Sequence, residues 1–166
     1  MQHIVAVIVS DGERVLVGKH RVGPFSDSWG VASAHCGSER PARAAGRIAE
    51  YATFGLLGAR RLCETLVVKH GRTPQGMLVY SIGASPSLVK QIKGVTSYVT
   101  SCFALDERGP VCPLGLLPWT DVQWMSLEGA MAMKNVEEFS VEALRQYSCR
   151  ILSDASPLST DGMNNS

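Results

Sequence analysis

Four charged side chains stand at spacings that could do chemistry together: Glu39, Arg43, Arg47 and Glu50, separated by four, four and three residues. On a helix these positions share one face. Carboxylates gathered on a helix face can hold a divalent cation, and guanidinium groups grip phosphate through paired hydrogen bonds. Here the two carboxylates lie about 16 Å apart along a helix axis, so one magnesium ion cannot be shared between them. Arg43 and Arg47 therefore have two readings. They meet a phosphate directly, without metal, or they pair with Glu39 and Glu50 and do nothing else; Glu39 and Arg43 alone make a favourable i,i+4 pair.

Other basic groups cluster at Lys19, His20 and Arg21, at His35, and at Lys69, His70 and Arg72 within the segment KHGRTPQG. Each has a phosphate-binding reading and a plainer one, a solvated strand end or loop tip. The carboxylates Glu64, Asp106, Glu107 and Asp121 could supply a relocated metal site, although no spacing singles any of them out. The five cysteines (Cys36, Cys63, Cys102, Cys112, Cys149) are odd in number and show no CxxC spacing, which gives a structural zinc site no support.

The elements that must position these groups follow from pattern. Ile4 to Val9 is continuously apolar and β-branched, as in a strand covered on both faces. Asp11-Gly12 is a hairpin turn and Val15-Leu16-Val17 the returning strand. Trp29 to Gly55 reads as a strand end, a short loop and one helix, with Ser38 as N-cap, Pro41 in the first turn and Gly55 as the C′ glycine. Ala44, Ala45, Ile48, Ala49 and Ala52 give that helix a small-residue apolar face. Leu62 to Val68 and Met77 to Ile82 read as an antiparallel hairpin whose loop, Lys69 to Gly76, presents Lys69, His70 and Arg72. Ser85 caps a short helix to Lys93. Tyr98 to Leu105 is β-rich and closed by a polar turn at 106–109, and Pro110 to Pro118 is an apolar loop. Asp121 to Met125 is a late strand, followed by a helix from Ser126 to Met133. A final helix from Ser140 to Leu152 carries Val141, Leu144, Ser148 and Ile151 on one stripe.

Length and composition describe one ordinary globular domain, residues 1–152, with a polar tail at 153–166 expected to be disordered. The 166 residues are 45% hydrophobic and 19% charged, with a formal net charge of +1. That balance weighs against a surface devoted wholly to nucleic acid and leaves room for a local basic patch. The Ile4–Val9 run is too short to span a membrane, and no signal peptide is evident. A reducing, intracellular compartment is the expectation, cytoplasmic rather than organellar.

The Trp29–Gly55 stretch resembles the Nudix box: a glycine, five residues, a glutamate, seven residues, then R-E-U-x-E-E-x-G-U, with U bulky and apolar. Glu39 and Arg47 stand eight apart as the box requires, and Ala44-Ala45 match the alanine pair common before its arginine. Ser33 replaces the first glycine. The three metal-holding glutamates fall on Ile48, Tyr51 and Ala52, and the last glycine position is Phe54, with Gly55 one place late. The resemblance implies an α/β fold, a Nudix-like α/β/α sandwich with a mixed β-sheet. It also implies that Glu39 and Arg47 are the retained box matches, and that Lys19 and Arg21 join Arg43 and Arg47 as phosphate-binding candidates. The late strand ending in Trp124 suits the family as well. Cys36-Gly37 is similar to the Cys-Gly of the isopentenyl diphosphate isomerases, a related fold, but with shorter spacing around it and no recognisable metal ligands.

Neither isoleucine nor alanine coordinates magnesium, so the resemblance implies a box that keeps its shape and loses its chemistry. No metal and no cofactor is expected, with magnesium only if a relocated site exists. Three functions fit: a degenerate Nudix-fold module binding nucleotide, RNA or protein; a diphosphate hydrolase with displaced metal ligands; and a structural subunit using the Pro110–Pro118 loop as contact surface. With no catalytic carboxylate beside it, Arg47 is expected to act structurally through Glu50, one turn on.

Overall fold

The computed structural model describes residues 3–20, 28–53, 56–57, 65–85, 87–88, 90–92, 94 and 119–149. The readings at Arg21, Gly55, residues 62–64, 98–118 and the tail from 153 lie outside the described residues.

The organising strand is β1, Ile4–Ser10, buried from Val5 to Ser10. It turns through Asp11-Gly12 into β2, Arg14–His20. Gly12 adopts the φ of 100° that the turn demands, and the Asp11 carboxylate accepts from the backbone N–H groups of Glu13 and Arg14. The other strands are β3 (Trp29–Gly30), β4 (Ala32–His35), β5 (Val68–Arg72), β6 (Leu78–Gly83) and β7 (Trp119–Ser126). Together they form a mixed seven-stranded sheet ordered β3-β2-β1-β6-β5, with β4 beside β1 and β7 beside β2. β1 runs parallel to β6 and antiparallel to β4 along its first half.

Alternation along β1 feeds two cores. Val5, Val7 and Val9 face α1 (Pro41–Ala52), whose Ala44, Ala45, Ile48, Ala49 and Ala52 are all buried, as the small-residue face requires. Ala6 and Ile8 face the opposite layer, where α2 (Leu127–Met131) and α3 (residues 138–149) contribute Ala130, Ala143, Leu144 and Tyr147. Helices thus cover both faces, an α/β/α arrangement. Among the described residues no helix is long and apolar enough to cross a membrane.

Several boundaries differ from the sequence reading. The N-cap of α1 is Arg40, with Pro41 next, and no side chain caps it. Ser38 lies upstream, in the turn closed by the Glu39 N–H on the Cys36 carbonyl. β5 starts at Val68 and continues through Arg72, so four residues read as connection belong to the ladder and the turn itself is 73–76. β7 starts two residues before Asp121, and α2 stops at Met131 rather than Met133. The other two expected serine caps hold: Ser126 Oγ accepts from Gly129 N–H at 3.0 Å, and Ser85 Oγ from Leu88 N–H at 3.1 Å. The buried face of α3 is Ser140, Ala143, Leu144 and Tyr147. Of the expected stripe Val141, Leu144 and Ser148 are described and Ile151 lies outside the described residues; among the three only Leu144 belongs to that face, because Ser140 is drawn inward to accept from Val31 N–H and to donate to Glu137.

Candidate functional site

The box residues meet at the junction of β4, the loop at 36–40 and α1. Arg47 projects back from the second turn of the helix, and its Nε and Nη2 both donate to Oε1 of Glu39, at 3.1 and 2.7 Å. Nη2 also reaches the His35 carbonyl at 3.5 Å. This corrects the expected partner: Arg47 is paired with Glu39, across the loop, and not with Glu50. The pair is 37% and 28% exposed, so it is half-solvated and anchors the loop to the helix with modest energy. Arg43, also expected to pair with Glu39, is exposed and makes no ion pair among the described residues. Lys19 lies in β2, opposite Asp121 of β7 and away from the α1 arginines in sequence and element.

The three positions where the box resemblance puts metal-holding glutamates divide sharply. Ile48 is 3% exposed and Ala52 1% exposed, both in the α1-side core, whereas Tyr51 is 49% exposed on the outer face. The space beside Ala52 is taken by Trp119, itself buried, whose indole Nε1–H donates to the Ala52 carbonyl at 3.3 Å. That indole lies over Gly18 of β2 so closely that any Cβ there would run into its ring. The end of α1 that would face a metal is therefore packed with apolar side chains. Among the described residues no three His, Cys, Asp or Glu side chains gather where they could hold a metal ion. Among the described residues the donor set does not fit the divalent cation that such a box holds.

Cys36 is buried in the same core, its N–H bonded to the His3 carbonyl. Burial raises the pKa of the neighbouring Tyr80 hydroxyl, and the Cys36 thiol raises it further. A thiol in this setting packs as an apolar side chain.

His70 departs most from the sequence reading. It is 6% exposed, not displayed on a loop. Its Nε2 lies 2.6 Å from Ser81 Oγ, its ring meets Tyr147 of α3 edge-on at 4.9 Å, and its carbonyl accepts from Gln146 Nε2 at 2.9 Å. A β-bulge produces this placement: Lys69 pairs with Tyr80 and Gly71 with Val79, leaving His70 as the extra residue. The available signal was Gly71, whose φ of 99° marks a glycine inside a strand as a bulge.

No model of a known protein family matches the sequence, and no curated protein matches it. Solved structures do match by shape. A mutT/nudix family protein from Listeria innocua aligns over 92% of this chain and 95% of its own, with a TM-score of 0.56 and 13% identity. The NUDIX domain of Shewanella oneidensis NrtR, complexed with ADP ribose, aligns over 89% and 86%, at a TM-score of 0.53 and 14% identity. The C-terminal domain of mouse MUTYH, in complex with human PCNA, aligns over 95% and 90%, at 0.52 and 14%. At such identities the likeness concerns the fold, and the chain has the Nudix fold.

Proposed function

We propose that this chain is a Nudix-fold binding module that engages a nucleoside diphosphate derivative without a divalent metal and without hydrolysing it. The observation that carries the reading is the apolar burial of Ile48 and Ala52 at two of the three box positions where glutamates would bind metal. A phosphoanhydride is cleaved in this box by polarising it with a cation held there, and these side chains cannot hold one. Recognition then falls to the guanidinium groups on the exposed side of α1. Arg43 is exposed and Arg47 lies one turn further on, so the two can share one diphosphate through charge-assisted hydrogen bonds. The ADP ribose bound to the NrtR domain supports a nucleotide-type ligand on this fold, and the PCNA complex of the MUTYH domain supports a protein partner as the second use of such a module.

The test is calorimetry with ADP ribose in the presence of a chelator, alongside a turnover assay over a panel of nucleoside diphosphate derivatives with magnesium or manganese. Metal-free binding that weakens in Arg43→Ala, with no turnover, is the expected result. Robust turnover abolished by the chelator would establish instead a hydrolase with ligands drawn from Glu64, Asp106, Glu107 or Asp121, and would overturn the proposal.

A further inference from the structure

The bulge that buries His70 has a second effect, on the residues flanking it. In a regular strand, residues three apart point to opposite faces. Here the extra residue shifts the count, so that Lys69 stands opposite Tyr80 and Arg72 opposite Leu78. Cross-strand partners share a face, and Tyr80 and Leu78 both belong to the α1-side core. Lys69 and Arg72 are therefore brought onto one face, two ladder steps or about 7 Å apart, and both side chains are exposed.

A third basic group joins them from the start of β1. Arg72 Nη1 lies 3.4 Å from Nδ1 of His3 and donates to the Gly76 carbonyl at 2.9 Å, which fixes the guanidinium over the strand end. Among the described residues no carboxylate bonds to Lys69, Arg72 or His3. In a protein whose formal net charge is only +1, the two cations Lys69 and Arg72, with the His3 ring beside the guanidinium and no acidic partner among the described residues, form a local electropositive strip.

We propose that this edge, Lys69, Arg72 and His3, is a phosphate-binding strip, built from residues other than the α1 arginines, that takes two phosphoryl groups of one chain. Arg72 with His3 holds one and Lys69 the other. Their spacing along one face suits successive phosphates of a single-stranded nucleic-acid backbone, or two non-adjacent phosphoryl groups of a free polyphosphate, whose neighbours share one bridging oxygen and lie closer together. Backbone contacts of this kind are sequence-independent and weaken with salt.

The test follows backbone amide resonances of the whole chain during titration with inorganic tripolyphosphate and, separately, with a single-stranded RNA decamer. Shifts at Lys69, Arg72 and His3 are expected, with affinity falling about tenfold and the salt dependence losing about one charge for each of Lys69→Ala and Arg72→Ala. Tighter binding of the RNA supports the strip as a nucleic-acid contact; tighter binding of tripolyphosphate supports it as a site for a free polyphosphate. Both substitutions are at exposed positions, and an unchanged melting temperature checks that the variants fold. Arg43→Ala leaves the shifts at Lys69, Arg72 and His3 intact, which separates their outcome from that of the α1 site. Absence of shifts at the three residues, or undiminished affinity in the double variant, would overturn the proposal.

Discussion

Restoring glutamate at the box positions should unfold this protein before it creates a metal site. Ile48 is 3% exposed, against Val5, Val7 and the alanines of α1 in the same core. Ile48→Glu removes about 2 kcal/mol of apolar burial. It also places a carboxyl where no partner is available. Keeping that group protonated at pH 7 costs about 1.4 kcal/mol for each of the roughly three units separating an ordinary glutamate pKa from neutrality, close to 4 kcal/mol in all. The sum, near 6 kcal/mol, rivals the stability of a typical domain, about 5–15 kcal/mol. Ala52→Glu loses less apolar surface but crowds Trp119, for about 1–3 kcal/mol beyond the same carboxyl cost. Tyr51→Glu, at a half-exposed position, should change stability by under about 0.5 kcal/mol. Urea denaturation at several pH values, with and without magnesium, reads all three. Because the introduced carboxyl is protonated in the folded state and ionised in the unfolded one, the folded state binds more protons. The Ile48 and Ala52 variants should therefore be most stable near pH 5 and lose stability as pH rises toward 8, by up to about 1.4 kcal/mol per unit. Variants that unfold with the wild type at pH 7 and gain stability from magnesium would refute the reasoning, since they would show those positions lining a hydrated cleft.

Arg47→Ala should lower stability by only about 0.5–1 kcal/mol, because the Glu39 pair is half-solvated, and Glu39→Gln should do nearly the same. Chemical denaturation checks both, and a double-mutant cycle in which the two losses add without coupling would refute the pairing. Gly18→Ala should cost about 1–3 kcal/mol by forcing Trp119 from its place over β2, and the loss should largely vanish when Trp119→Ala is already present. Denaturation of the two single variants and the double variant measures this.

The features legible in the sequence were those set by short stretches of chain. β1 reads as a strand covered on both faces because every residue from Val5 to Val9 is apolar and buried against one helical layer or the other. The Asp11-Gly12 turn and the caps at Ser85 and Ser126 work through hydrogen bonds reaching no more than three residues along the chain. The α1 face of alanines was visible because small side chains are what let a helix lie close on a sheet. What escaped was set by residues far apart in sequence. Ser140 looks like an exposed helix start until Val31, 109 residues away, donates to it. His70 and Arg72 look alike in a basic segment, and only the ladder with β6 separates a buried histidine from an exposed arginine.

The same division explains the candidate site. The box spacing between Glu39 and Arg47 was legible as a pattern, but its partner assignment was not, since helical periodicity favours Glu50 and says nothing of a loop that folds back. In the structure Glu39 precedes the helix, and the Arg47 side chain reaches across to it and to the His35 carbonyl. The two retained charges thus tie the strand end and the loop to α1, a role that needs no metal. Two of the positions where the box resemblance puts metal ligands carry isoleucine and alanine, and the packing of Trp119 and the α1-side core against them suits those residues. Shape and chemistry separate here because they rest on different faces of one helix: Glu39 and Arg47 hold the loop from the solvated side, while Ile48 and Ala52 hold the sheet from the dry one.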